Sequence, residues 1–163
     1  MRAKEGKFKE LVVPLIWIVG FQVVSAAIGI MTAPDVAGWY GLLTRPSFTP
    51  PNYIFPIVWP ALYVLIALTG WRIFCLSEKS ELRRLGGVFA VYMTLNWTWS
   101  FVFFSFHMIF MGLVWIILMD ACAILLMVWA WRGDRQVTYL MLAPVAWTLF
   151  AAVLNGGYWL LNR

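Results

Sequence analysis

The chain has 163 residues, of which 63% are hydrophobic and only 12% charged, with a formal net charge of +5. Ordinary soluble domains carry about 25% charged residues, so a freely soluble domain is excluded. The basic excess is a topology signal rather than the mark of a nucleic-acid partner, because no soluble basic region is present to hold one.

The charges are clustered, and the gaps between them are membrane-sized, about 20 residues or more. The first apolar run predicts a span over Leu11–Thr32. It is long for the apolar core of a signal peptide, and Thr32-Ala33-Pro34-Asp35 is a poor cleavage site, so a retained helix is expected.

The segment from Asp35 to Tyr63 follows. Pro46, Pro50, Pro51 and Pro56 restrict their own φ and push the residues before them towards extended geometry. Trp39, Tyr40, Phe48, Tyr53 and Phe55 add large apolar surfaces with polar edges. A stiff, sticky first loop of this kind suits a lid over a pocket that opens towards the bilayer.

Further spans are predicted over Pro56–Leu76, Leu85–Phe106, Ile109–Trp131 and Val137–Leu161. The run from Leu85 to Trp131 is too long for one crossing, so it turns back between Ser105 and Gly112, around His107. These long runs make helices, whereas barrel strands would show ten-residue alternation. The expected fold is an all-α membrane protein. It is a single domain over residues 1–163, a five-transmembrane-helix bundle with a Pro- and aromatic-rich first loop. Five crossings put every Lys and Arg except Arg45 and Arg163 on one side. That side is expected to be cytoplasmic, with the first loop and the C-terminus opposite.

Three predicted helices carry stripes at helical spacing. Trp59, Tyr63, Ile66 and Gly70 share one face of the second. Tyr92, Asn96, Trp99 and Phe103 share one of the third, and Trp147, Ala151, Asn155 and Tyr158 one of the fifth. Membrane helix interfaces favour small residues. Bulky aromatics mixed with amides and hydroxyls suit a lined cavity for a flat, apolar, sparsely polar ligand. The candidate ligand-binding set is Trp39, Phe48, Phe55, Trp59, Tyr63, Asn96, Trp99, Phe103, Trp147, Ala151 and Asn155. For Asn96 and Asn155, interhelical hydrogen bonding is the competing role. Trp17, Trp71, Trp129, Trp131 and Trp159 lie near span ends, where indoles anchor to headgroups.

Asp120 is the one acid within a span. It is either a functional group or a buried, hydrogen-bonded partner. His107 is read as a solvated turn residue, with axial ligation of a metalloporphyrin as the alternative. Cys75 and Cys122 show no metal or haem-attachment spacing, and no metal site is expected. The sequence carries no Ser-His-Asp set, HExxH or phosphate loop, and no internal repeat of the kind that marks inverted-repeat transporters. Leu154, Tyr158 and Arg163 fit the loose pattern proposed for sterol contact.

These residues resemble the TspO/MBR family. Trp39-Tyr40, Leu43 and Arg45-Pro46 are similar to its WYxxLxKP motif. Pro50-Pro51, Phe55, Trp59 and Leu62-Tyr63 are similar to PPxxxFxxxWxxLY, and Asn96, Trp99 and Phe103-Phe104 to NxxWxxxFF. Phe48 stands where the family usually has Trp, and Gly156 replaces an aromatic of the animal sterol motif. The resemblance implies a five-helix bundle, often a homodimer, that binds porphyrins such as protoporphyrin IX and haem as ligands rather than as a tightly bound cofactor. It also implies sites for isoquinoline or benzodiazepine compounds and, in animals, sterols. Trp59 and Trp147 match tryptophans associated with light-dependent porphyrin breakdown, and would be the catalytic residues of any such activity. Sensor, transporter and photo-oxidative roles all remain open. A dimer would form through small residues such as Gly86, Ala90 and Gly112.

Overall fold

A computed structural model describes residues 2–76 and 79–163. Helix α1 runs over Arg2–Ala37, the short α2 over Trp39–Leu42, and a 3-10 turn over Asn52–Ile54 leads into α3, Phe55–Leu76. Helix α4 covers Lys79–Ser100 and continues as a π-helical turn, Phe101–Ser105. Helices α5, Ile109–Ala130, and α6, Arg135–Leu161, complete the chain. Five of these helices are long and apolar enough to cross a membrane, and among the described residues there is no strand. The molecule is a five-span all-α bundle. Read around it, the long helices follow the order α1, α3, α6, α5, α4 and back to α1, with α3 and α4 also touching across the middle.

The first span ends later than expected. It was expected to end at Thr32, yet the helix continues through Pro34 to Ala37. Pro34 lacks only its own N–H, and its carbonyl still accepts from Gly38 N at 2.9 Å, so the last turn closes around it. The third span ends differently too. Phe106 N donates to Phe101 O at 2.8 Å across a widened turn, and His107 takes φ of 57°. This left-handed residue, uncommon outside glycine, reverses the chain into α5 where the turn was expected. The side chains of Arg2, Lys4, Lys7, Lys9 and Lys79, part of the charge bias, lie outside the described ones.

Helix α1 is the most peripheral span, and it docks through a notch. A Cβ on Gly70 of α3 would stand 2.6 Å from Cζ3 of Trp17 and 3.0 Å from the Phe89 ring. Trp17, expected as a headgroup anchor, therefore packs into the space glycine leaves and stacks on Phe74 at 5.7 Å. At other helix ends Arg84 lies over Trp129, Arg135 over Trp131 and Arg163 over Trp159. These cation–π pairs keep indole and guanidinium together where apolar and wet surfaces meet. Gly86 and Gly112 are buried inside the bundle. The expected dimer surface is thereby corrected: of its three small residues only Ala90 faces outward, and Gly112 packs against Phe103 and Asn155 of the same copy.

Candidate functional site

The first loop lies across one end of the bundle and is pinned at several points. Thr44 N donates to Asn162 Oδ1 at 2.8 Å, and Asn162 Nδ2 returns a bond to Thr44 O at 3.0 Å. The Tyr40 and Tyr158 hydroxyls meet at 2.7 Å. Burial, and then that hydrogen bond, push the Tyr40 phenol above the ordinary tyrosine range. Pro46 is buried over Gly157. Arg45 donates to Asn52 Oδ1 at 3.3 Å and lies over the Tyr40 ring, which ties the loop to itself. Phe48 is half exposed, with its ring edge near Gly157.

Beneath this loop, aromatic rings fill one another's faces. Trp99 stacks on Phe103 with centroids 5.2 Å apart, and Phe103 meets Trp39 edge-on at 5.8 Å. Tyr40 packs against Phe103, Phe104 and Tyr158. The Trp99 indole N–H donates to Gly112 O at 3.1 Å. The π turn places Phe103 and Phe104 side by side in this knot; such turns often occur at functional sites. Three of the expected ligand residues, Trp39, Trp99 and Phe103, thus hold the loop against the bundle.

The sequence search found no Ser-His-Asp set, yet the fold assembles those residue types. Ser105 Oγ donates to Asp35 Oδ2 at 2.9 Å, and His107 Nε2 lies 3.7 Å from Asp35 Oδ1. Trp39 stacks on the imidazole at 4.3 Å. In a hydrolytic triad the imidazole must receive the serine proton. Here serine and histidine each address the carboxylate, so the cluster ties α1 to the α4–α5 turn and is not a nucleophile. His107 is accordingly half exposed but engaged, not simply solvated.

Deeper in the bundle, the amides behave differently from one another. Tyr63 donates to Asn96 Oδ1 at 2.6 Å, and Asn96 Nδ2 reaches Met119 Sδ at 3.4 Å. Asn96 therefore links α3, α4 and α5. Asn155 is 3% exposed, and neither its oxygen nor its nitrogen has a partner. The buried Trp147 indole nitrogen is also unpartnered. Phe55 meets Trp147 edge-on at 5.9 Å, bringing the start of α3 to α6. Trp59 lies 5.8 Å from Tyr63 on α3, and Trp59, Trp147 and Ala151 are only partly buried. Asp120 bonds to Thr148 across α5 and α6, leaving Oδ2 without a partner. Thr148, which sequence reasoning did not single out, lies on α6 within a turn of Trp147 and Ala151. Among the described residues no cluster of His, Cys, Asp or Glu could hold a metal ion.

A model of the TspO/MBR family matches residues 12–160 of this chain. The chain belongs to the TspO/MBR family. It is 34% identical to Protein CrtK of Rhodobacter capsulatus over 139 residues, covering 85% of this chain and 86% of that protein. It is 34% identical to Tryptophan-rich protein TspO of Archaeoglobus fulgidus over 134 residues, covering 80% and 84%. It is 30% identical to the Translocator protein of Sus scrofa over 159 residues, covering 92% of each chain. The TspO/MBR match spans all five long helices, so this is an integral, multi-pass membrane protein of that family.

Proposed function

We propose that this TspO/MBR protein is a membrane receptor or sensor that binds porphyrins and related flat apolar ligands inside the helix bundle. The carrying observation is the α6 face on which the unpartnered polar atoms of Trp147 and Asn155 flank Ala151. The Phe55 ring of α3 stands edge-on to Trp147 beside it. Buried polar groups are ordinarily paired, and an aromatic wall with a few unpaired polar points suits a planar ligand with polar edges. A similar protein from Cereibacter sphaeroides carries the name "Tryptophan-rich sensory protein", which favours a sensing role. Protoporphyrin IX and haem are the proposed ligands. Isoquinoline or benzodiazepine compounds and sterols are further candidates for the same space. The N-terminus is assigned to the cytoplasmic side by the Lys and Arg bias, with the first loop opposite, and two copies are proposed to pair in the bilayer.

Titration of the detergent-solubilised chain with protoporphyrin IX tests this reading. Its eleven tryptophans should be quenched saturably. Quenching that rises linearly and equally with an unrelated membrane protein of similar tryptophan content overturns it. The half-buried indoles Trp59 and Trp147 favour light-dependent porphyrin breakdown as a second reading, because indoles beside an excited tetrapyrrole can donate electrons. Flux of labelled porphyrin in vesicles would instead identify a transporter.

A further inference from the structure

Asn155 sits two turns beyond Trp147 on α6, about 12 Å along the helix axis at 1.5 Å per residue. The residue is 3% exposed, and its carboxamide has no partner for either atom. Whichever way the amide is turned, one donor group and one acceptor stand side by side and unused. Its amide and the Phe103 ring pack directly against Gly112 of α5, where no side chain stands between the helices. A Cβ on Gly112 would lie 3.1 Å from Asn155 Nδ2 and 2.9 Å from the Phe103 ring. Asn96 provides the contrast, since its oxygen and nitrogen both have partners on neighbouring helices. A structural amide in this bundle is thus tied, and Asn155 is not.

We infer that Asn155 selects a ligand presenting a hydrogen-bond donor and acceptor on one edge, a neutral carboxylic acid or a lactam. This rests on the ligand-binding reading above and adds the chemistry of the recognised group. A primary amide and such an edge complement each other through two antiparallel hydrogen bonds. A carboxylate would satisfy only the Asn155 nitrogen and would bring an unpaired charge into an apolar interior, which is strongly unfavourable. An ester accepts but cannot donate, leaving the Asn155 oxygen unpaired. Trp147 Nε1 then offers a single donor to an acceptor further along the same ligand.

The test uses the full chain in detergent, with protoporphyrin IX, its dimethyl ester, 2-pyridone and N-methyl-2-pyridone as probes. Without ligand, Asn155→Leu should unfold at a higher temperature than the wild type, because an unpaired buried amide is replaced by an apolar group of similar size. Titrated at about pH 4, at or below the ordinary carboxylic-acid value, the wild type should bind the free diacid at least about tenfold more tightly than the diester, and Asn155→Leu should bind both alike. A lower unfolding temperature for Asn155→Leu shows that the amide is structural and overturns the inference. An acid-over-ester preference that survives in Asn155→Leu also overturns it. Either result leaves porphyrin binding itself intact. If neither porphyrin binds, the proposed function fails separately and the lactam pair decides. Stabilisation of the wild type alone by 2-pyridone, and not by its N-methyl form, supports the inference; equal effects or none overturn it.

Discussion

Pro46 rests on Gly157 so closely that a Cβ on the glycine would stand 2.8 Å from Pro46 Cγ. Because both groups are small or rigid, the contact works as a seat for the loop with little freedom to adjust. Gly157→Ala should force Pro46 off α6 while leaving the bundle folded. Phe48 and Tyr53 are the exposed aromatics of the loop. Chymotrypsin should therefore cut after them several-fold faster in the variant, with helix content by circular dichroism unchanged. Equal cutting rates would mean that Pro46 does not hold the loop down.

The Tyr40–Tyr158 hydroxyl pair gives the same loop a dependence on pH. The folded state holds the Tyr40 proton more tightly than the unfolded chain, chiefly through burial. Its contribution is complete below the unfolded tyrosine value of about 10 and is lost as pH rises through that value towards the folded one. Denaturant unfolding between pH 8 and pH 11 should show the wild type losing more stability than Tyr40→Phe. Parallel losses would remove the pair from the account.

At the other end of the molecule, Asp134 does two things. Its Oδ2 accepts from Arg72 Nε at 2.8 Å, and its Oδ1 accepts from Gln136 N at 3.0 Å to cap α6. The two side chains are about one-fifth exposed, at 21% and 18%. Loss of a cap costs about 1 kcal/mol, and breaking a fully buried pair about 3–5 kcal/mol; this partly wet pair should fall below that range. Asp134→Asn keeps the cap and loses the charge, so it should be destabilised less than Asp134→Ala. Unfolding midpoints of the two variants check the order. Equal destabilisation would leave the cap without effect.

The five spans were legible because apolar runs longer than a bilayer crossing have few other uses, and the residues Tyr63, Ile66 and Gly70 that share a helical stripe are all buried. The competition at the two asparagines was legible as well. Its outcome was not, because whether Asn96 meets Tyr63 depends on helix rotation, which periodicity in one helix leaves undetermined. Asp35 and Ser105 are 70 residues apart, and nothing in their local sequences marks a shared bond. The seats made by Gly70, Gly112 and Gly157 have a similar explanation. A glycine opposite an aromatic or a proline is meaningful only once the facing helix or loop is known. The extension of α1 past Thr32 to Ala37 was not legible, because a proline in the final turn removes only one hydrogen bond and does not by itself mark the end.

Trp59 and Trp147 distinguish a wall from a reactant. Phe55 and Tyr63 support them on α3 and across to α6, so Trp→Phe at either position keeps most of the apolar area facing a ligand. Aromatic pairs contribute roughly 0.5–1.5 kcal/mol beyond area burial, and porphyrin affinity should weaken only a few-fold in each variant. The same change removes the readily oxidised indole, and at residue 147 it also removes the N–H that has no partner in the bundle. Under illumination, porphyrin product formation should therefore fall well beyond the loss of occupancy, which must be measured in the same samples. A fall in proportion to occupancy would make both tryptophans walls of the site and exclude electron donation from them. Because the affinity loss is small in either case, the ratio of product to bound porphyrin carries the result.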